Sequence, residues 1–104
     1  MKSSDRLTQL QRFLESDPAD SFTRYALALE YIGSGDADRG VQLLRETIER
    51  DPSYVPAYQM LGQQFARMGD DGEARAVLTL GIETARAAGN MHAASEMQTE
   101  LDIL

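Results

Sequence analysis

Residues 17–52 read DPADSFTRYALALEYIGSGDADRGVQLLRETIERDP. The pair Asp17-Pro18 opens this stretch and Asp51-Pro52 closes it 34 residues later, while Gly35-Asp36 returns at the same interval as Gly69-Asp70. Proline disfavours the helical conformation of the residue before it, and glycine readily takes the left-handed conformation that ends a helix. Two helix-ending signals with one period predict a repeat whose unit is a pair of helices joined by a turn.

Apolar residues recur at helical spacing between these signals, as Val41, Leu44 and Ile48 do. No segment alternates apolar and polar residues with a period of two, so the sequence predicts an all-α fold. The six predicted helices span about 4–16, 19–32, 37–50, 54–68, 71–88 and 91–103. Short polar side chains that could accept hydrogen bonds from the free amides of a first turn, and so act as N-caps, are Asp36, Ser53 and Asp70.

The composition limits the compartment and the class of partner. The chain has 104 residues, no cysteine and a net charge of −7 at pH 7. At this length we expect one domain, residues 1–104, without disulfides or thiolate metal sites. No window approaches the roughly 18 apolar residues of a membrane span, and we expect a cytoplasmic protein. An acidic surface repels phosphate backbones and anionic lipids, so we expect neither nucleic acid nor membrane as a partner.

Two successive stretches, 21–54 and 55–88, resemble units of the tetratricopeptide repeat (TPR) family. The matching residues of the first stretch are Leu27, Ala28, Tyr31, Gly40, Leu44 and Pro52, with Arg24 where the family has a leading tryptophan. Those of the second are Tyr58, Leu61, Gly62, Phe65, Ala74, Leu78 and Gly81, without the closing proline. Small residues at these positions let two helices approach closely, and large neighbours fill the space beside them.

The same period extends toward both ends of the chain. Leu10, Leu44 and Leu78 are each 34 residues apart, so 4–16 resembles the second helix of a unit whose first helix is absent. In the last helix, 91–103, a two-residue shift of register is needed to bring Met97 and Leu101 to core positions, and we expect this helix to act as a cap. The resemblance implies six antiparallel helices in a short right-handed superhelix, with two full units between two half units.

In the TPR family, fixed positions on the first helix of each unit line a concave binding surface. The residues at those positions, which we predict to bind a peptide, are Phe22, Tyr25, Leu29, Gln59, Met60, Gln63 and Arg67, with Ala26 and Ile32 beside them. The set from 19–32 is apolar or aromatic, whereas the set from 54–68 is mostly amide with one cation. The resemblance therefore implies a non-catalytic protein-interaction module for an extended peptide or an amphipathic helix, without a cofactor.

Two alternatives remain open at this point. Because no first helix precedes 19–32, Phe22, Leu29 and Ile32 could pack against the N-terminal helix as ordinary core. Apolar residues left uncovered there also favour self-association, as a homodimer or as stacked repeats. The chaperone-binding members of the family hold a terminal carboxylate with a lysine and asparagines, but Tyr25, Leu29 and Met60 stand at those positions here, so that clamp is not predicted.

The residues argue against catalysis and against a metal site. His92 is the only histidine, and its spacing to Glu96 is that of solvated neighbours on one helical face. Asp36 begins a pattern that faintly resembles a calcium loop, but Thr47 stands at the twelfth position, where a bidentate glutamate is required. A helix–turn–helix DNA reader would need a basic recognition helix, which the sequence lacks.

Overall fold

In the computed structural model, residues 3–104 are described, with side chains from Asp5 onward. This part of the chain contains six α-helices and no strand, which confirms the all-α class and the number of helices predicted from the sequence. The helices are α1 (Ser3–Ser16), α2 (Ser21–Gly33), α3 (Ala37–Arg50), α4 (Val55–Arg67), α5 (Asp71–Ala87) and α6 (Met91–Asp102). The chain divides into two compact units, Met1–Asp51 with α1 to α3 and Pro52–Leu104 with α4 to α6.

The helix starts follow the predicted capping residues in two cases and depart from them in one. The Asp36 carboxylate accepts a hydrogen bond of 3.3 Å from the Arg39 amide, and Asp70 accepts one of 3.4 Å from the Glu73 amide. The prediction that Ser53 caps α4 is wrong. The N-cap position belongs to Tyr54, whose side chain makes no capping hydrogen bond, and a proline in the first turn reduces the number of amides that need a partner.

In the first unit, α2 packs against both α1 and α3. The buried positions include Leu27, Ala28 and Tyr31 of α2 and Leu44 of α3, which is where the repeat pattern predicts core. Gly40 marks the closest approach, because a Cβ atom at this residue would lie 3.0 Å from the carbonyl oxygen of Ala28 and would overlap the side chain of Ile32. Only a glycine allows α2 and α3 to approach this closely.

The second unit has two such close approaches, one between α4 and α5 and one between α5 and α6. A Cβ on Gly62 of α4 would lie 2.6 Å from the Leu78 side chain of α5, and a Cβ on Gly81 would lie 2.6 Å from Met97 Sδ of α6. Met97 is fully buried, whereas Ser95 and Thr99 are exposed. This is the arrangement expected from a two-residue shift of register in the last helix.

A hydrogen bond to a proline carbonyl recurs in both units. Tyr58 Oη donates to the Pro52 carbonyl oxygen at 2.7 Å, and Arg24 Nη2 donates to the Pro18 carbonyl oxygen, one repeat earlier. Arg24 therefore makes the hydrogen bond that Tyr58 makes 34 residues later, although it is a charged residue that is only 2% exposed. Its Nε lies 3.7 Å from Glu46 Oε1 of α3, which supplies partial charge compensation.

Candidate functional site

A groove in the second unit lies among α4, α5 and α6 and has a volume of about 550 Å³. Its lining residues are Gly62, Gln63, Ala66, Arg67, Asp71, Leu78, Glu100, Ile103 and Leu104. The lining combines apolar side chains with charges of both signs. A volume of this size falls within the range of about 300–1,000 Å³ that is typical of ligand sites.

Glu100 of α6 occupies the polar side of this groove. Its Oε1 accepts a hydrogen bond of 3.0 Å from Gln59 Nε2, and its Oε2 accepts one from Gln63 Nε2. The two glutamines are four residues apart on α4 and therefore lie on one helical face, so both can reach the same carboxylate. Each carboxylate oxygen is held by a different amide, which fixes the orientation of the half-buried carboxylate.

Among the described residues, Arg67 is the only cation that lines the groove, and it is exposed at the end of α4. Among residues 3–104 its guanidinium makes no ion pair and no hydrogen bond. Asp71, the first residue of α5, lines the same groove, and its carboxylate lies where the partial positive charge of the helix N-terminus is felt. The groove thus presents one cation and two carboxylates that are not paired with one another.

The predicted site residues of the first unit lie on α2. Phe22 is 65% exposed, so the interpretation of this residue as core is wrong. Tyr25, Leu29 and Ile32 are half-buried, and burial raises the pKa of the Tyr25 hydroxyl above its ordinary value of 10.0. Ile32 lies beside Gly40 of α3, and this contact makes it part of the packing between α2 and α3.

In the second unit, the structure places Gln63 and Arg67 on the groove and connects Gln59 to it through Glu100, while Met60 is half-buried outside the groove lining. Sequence reasoning missed Glu100. Two glutamines four residues apart indicate that one acceptor can bond both of them. The sequence alone does not decide whether Glu96 or Glu100 is that acceptor, because the register of α6 shifts by two residues.

A smaller pocket of about 230 Å³ lies between α2 and α3 in the first unit and is lined in part by Tyr31, Arg39 and Glu46. The Tyr31 hydroxyl accepts hydrogen bonds from Gln11 Nε2 at 2.7 Å and from Arg39 Nη1 at 3.2 Å. The Arg39 guanidinium carbon also lies 5.5 Å from the centre of the Tyr31 ring. These contacts connect α1, α2 and α3 and account for the polar groups of this pocket as structural.

Within the described part of the chain, no group of three or more histidine or acidic side chains is arranged to hold a metal ion. In the same residues, no helix is both long enough and apolar enough to cross a membrane. The His92 and Glu96 side chains lie 3.6 Å apart on α6 and are largely exposed, which is the geometry of solvated helical neighbours.

These features define an all-α protein built from repeated helix pairs with a mixed polar and apolar groove. The chain belongs to the tetratricopeptide repeat family, whose family model matches residues 1–95. It is 31% identical to a TPR repeat-containing protein of Pseudomonas aeruginosa over 88 residues, which are 85% of this chain and 84% of the relative.

Two solved structures extend this similarity to the fold. One is the solution structure of a tetratricopeptide repeat domain protein from Salinibacter ruber, which is 40% identical and gives a TM-score of 0.78 over 82% of this chain and 86% of that chain. The other is the solution structure of a protein from Bordetella parapertussis, which is 25% identical and gives a TM-score of 0.79 over 92% of this chain and 84% of that chain. Domains of this family generally mediate protein–protein interactions and are generally not catalysts.

Proposed function

We propose that this chain is a non-catalytic interaction module that binds a peptide segment of a partner protein in the groove of its second unit. The observation that carries this proposal is the groove of about 550 Å³, in which apolar surface adjoins the side chains of Gln63, Arg67 and Glu100. Apolar walls supply affinity by desolvation, and a few placed polar groups fix the orientation of the ligand. A peptide fits this lining because it offers both apolar side chains and backbone hydrogen-bonding groups.

The predicted residues of α2, namely Phe22, Tyr25 and Leu29, form a second proposed contact surface in the first unit. Phe22 supports this assignment, because a phenylalanine that is 65% exposed offers apolar area to a partner at little cost in desolvated polar groups. The net charge of −7 disfavours nucleic acid and anionic membranes as partners. No cofactor is part of the proposal.

The test is a selection of binders from a random peptide library displayed on phage, followed by affinity measurements with the selected synthetic peptides. Ala66 is half-buried and lines the groove, so Ala66→Trp fills the groove without changing its charge. Ala87 is exposed in the last turn of α5 and does not line the groove, so Ala87→Trp is the matched control.

We expect peptides selected on the unmodified chain to bind Ala66→Trp at least about tenfold more weakly, which corresponds to about 1.4 kcal/mol. Their affinity for Ala87→Trp should stay within about twofold of that for the unmodified chain, because surface substitutions away from a site have small effects. A selection that yields no peptide, or peptides that bind Ala66→Trp as well as the unmodified chain, contradicts the proposal.

Self-association through α1 and α2 is a second candidate function, and it rests on two exposed aromatic residues of the first unit. Phe13 of α1 is 64% exposed and Phe22 of α2 is 65% exposed. Size-exclusion chromatography with light scattering tests it, because a dimer formed through these rings should dissociate in the Phe13→Ser, Phe22→Ser double variant. A monomer at every concentration tested excludes this candidate and leaves the peptide-binding proposal intact.

A further inference from the structure

The charge of the groove distinguishes among the peptides that it could bind. Glu100 accepts hydrogen bonds from the neutral amides of Gln59 and Gln63, but no cationic side chain within residues 3–104 pairs with it. Neutral donors orient a carboxylate and leave its net charge in place. A half-buried carboxylate without a counter-ion attracts a cation more strongly than a fully solvated one does, because less water screens the attraction.

The geometry of this carboxylate suits a ligand cation. Each oxygen of a carboxylate offers about two acceptor sites, and each oxygen of Glu100 uses one of them for a glutamine. The remaining acceptor sites belong to two oxygens whose positions are already fixed. Fixing the acceptor in advance lowers the entropy lost on binding, and a planar guanidinium can bond both oxygens of a carboxylate at once.

We propose that Glu100 is the specificity-determining residue of the groove and pairs with a basic side chain, preferably an arginine, of an apolar peptide segment. The inference rests on the proposed function and specifies the chemistry of its ligand. The apolar residues that line the groove together with Glu100, among them Ala66, Ile103 and Leu104, receive the apolar part of the segment. The net charge of −7 also favours the approach of a basic partner over long distances.

Gln59 and Gln63 are positioning residues in this proposal. They act on the ligand through the orientation of the Glu100 carboxylate, and neither amide carries a charge that could attract a basic side chain. Arg67, which also lines the groove, repels a basic group that approaches the α4 end of the groove and thereby favours placement of that group at Glu100.

The test uses those peptides from the random library that bind Ala66→Trp more weakly than the unmodified chain and therefore depend on the groove. Arginine or lysine should recur at one position among them. Glu100→Gln removes the charge but keeps the shape, and the glutamine side chains of α4 can rotate to offer an oxygen to the new amide, so the variant should keep its fold by circular dichroism. Glu96→Gln is the matched control, because it removes the same charge one turn earlier on α6 and outside the groove lining.

We expect Glu100→Gln to weaken these peptides about tenfold, and Glu96→Gln to change their affinity less than about twofold. Replacing the recurrent arginine of a peptide by citrulline, which is uncharged and of nearly the same shape, should cost about tenfold against the unmodified chain and almost nothing against Glu100→Gln. Raising the salt concentration should weaken binding to the unmodified chain more than binding to Glu100→Gln.

The assignment of Glu100 is overturned if the groove-dependent peptides share no basic residue, or if their affinity for Glu100→Gln equals that for the unmodified chain. In either case the proposed function stands. If no selected peptide depends on the groove, the proposed function fails, and the assignment of Glu100 fails with it.

Discussion

Replacing Arg24 by tyrosine should stabilise the first unit, although it removes the ion pair between the buried Arg24 guanidinium and the partly exposed Glu46 carboxylate. Tyrosine is the residue that stands one repeat later, where Tyr58 donates a hydrogen bond of 2.7 Å to the Pro52 carbonyl oxygen. A tyrosine at position 24 can donate in the same way to the Pro18 carbonyl oxygen that Arg24 now uses. The substitution therefore keeps the hydrogen bond of this position and exchanges a charged group for an aromatic ring.

The magnitude of the expected stabilisation follows from the missing hydrogen-bond partners of the Arg24 guanidinium. Among the described residues, Arg24 Nε and Nη1 are buried without a hydrogen-bond partner, and a buried unsatisfied donor costs about 1–3 kcal/mol. The side chain of Glu46 is 40% exposed, so water weakens its attraction for Arg24, and exposed pairs are worth only about 0.2–1 kcal/mol. Glu46 also keeps Arg50, whose Nε lies 3.5 Å from its Oε1. We expect a net gain of about 1–3 kcal/mol in the free energy of unfolding, because the Glu46 carboxylate that is left behind stays partly solvated and paired with Arg50.

The assay is equilibrium unfolding in urea, supported by thermal unfolding, in which each kcal/mol should raise Tm by about 4–8 °C. Arg24→Met is the companion variant, because it removes the unsatisfied donors but leaves the Pro18 carbonyl oxygen with only the long 3.5 Å hydrogen bond from Arg50 Nη1. It should be less stable than Arg24→Tyr by about 1 kcal/mol. If both variants are less stable than the unmodified chain by more than about 1 kcal/mol, the guanidinium is net stabilising and the reasoning is refuted.

Three further predictions concern other features of the structure. Gly81→Ala should cost more than about 2 kcal/mol, because its Cβ would meet Met97 Sδ at 2.6 Å, whereas Gly72→Ala, with nothing within 4 Å, should gain about 0.5–1 kcal/mol of helix propensity in the same urea assay. Asp70→Ala should lower the free energy of unfolding by about 1 kcal/mol, because α5 loses its N-cap, whereas Asp70→Asn should keep most of this stability. Equal losses of stability in the two variants would exclude capping as the cause. Because burial raises the pKa of Tyr25, its contribution to stability is fully present below about pH 10 and is lost as the pH rises through the folded pKa, so Tyr25→Phe should show a smaller fall in Tm above pH 10 than the unmodified chain.

The sequence predicted the helices well because each boundary has a local cause. Glycines with positive φ at 35, 69 and 89 end α2, α4 and α5, and Asp36 and Asp70 cap the helices that follow the first two of these turns. Such signals act within a few residues and need no knowledge of tertiary contacts. The error at Ser53 has the same origin, since Ser53 and Tyr54 both precede the helix and only the backbone geometry decides which of them is the N-cap.

The groove was less accessible to sequence reasoning because its key contact joins residues far apart in the chain. Gln59 and Glu100 are separated by 41 positions, and their contact depends on the rotation of α6, which the two-residue shift of register determines. Arg24 presents the opposite difficulty. The repeat pattern aligned Arg24 correctly with the aromatic position of the family. Nothing in the sequence indicates, however, that an arginine at this position is buried and donates a hydrogen bond to a carbonyl six residues away.

The hydrogen bonds to the Pro18 and Pro52 carbonyl oxygens also bear on the order of events during folding. Arg24 and Tyr58 each reach back only six residues, to Pro18 and Pro52. Closing so short a loop costs little chain entropy and takes less than a microsecond, so each bond can form as soon as the first turns of its own helix exist. We infer that the attachment of α2 to its preceding turn can be complete while a ribosome is still adding α4, and that the second unit repeats the same event about 34 residues later in synthesis.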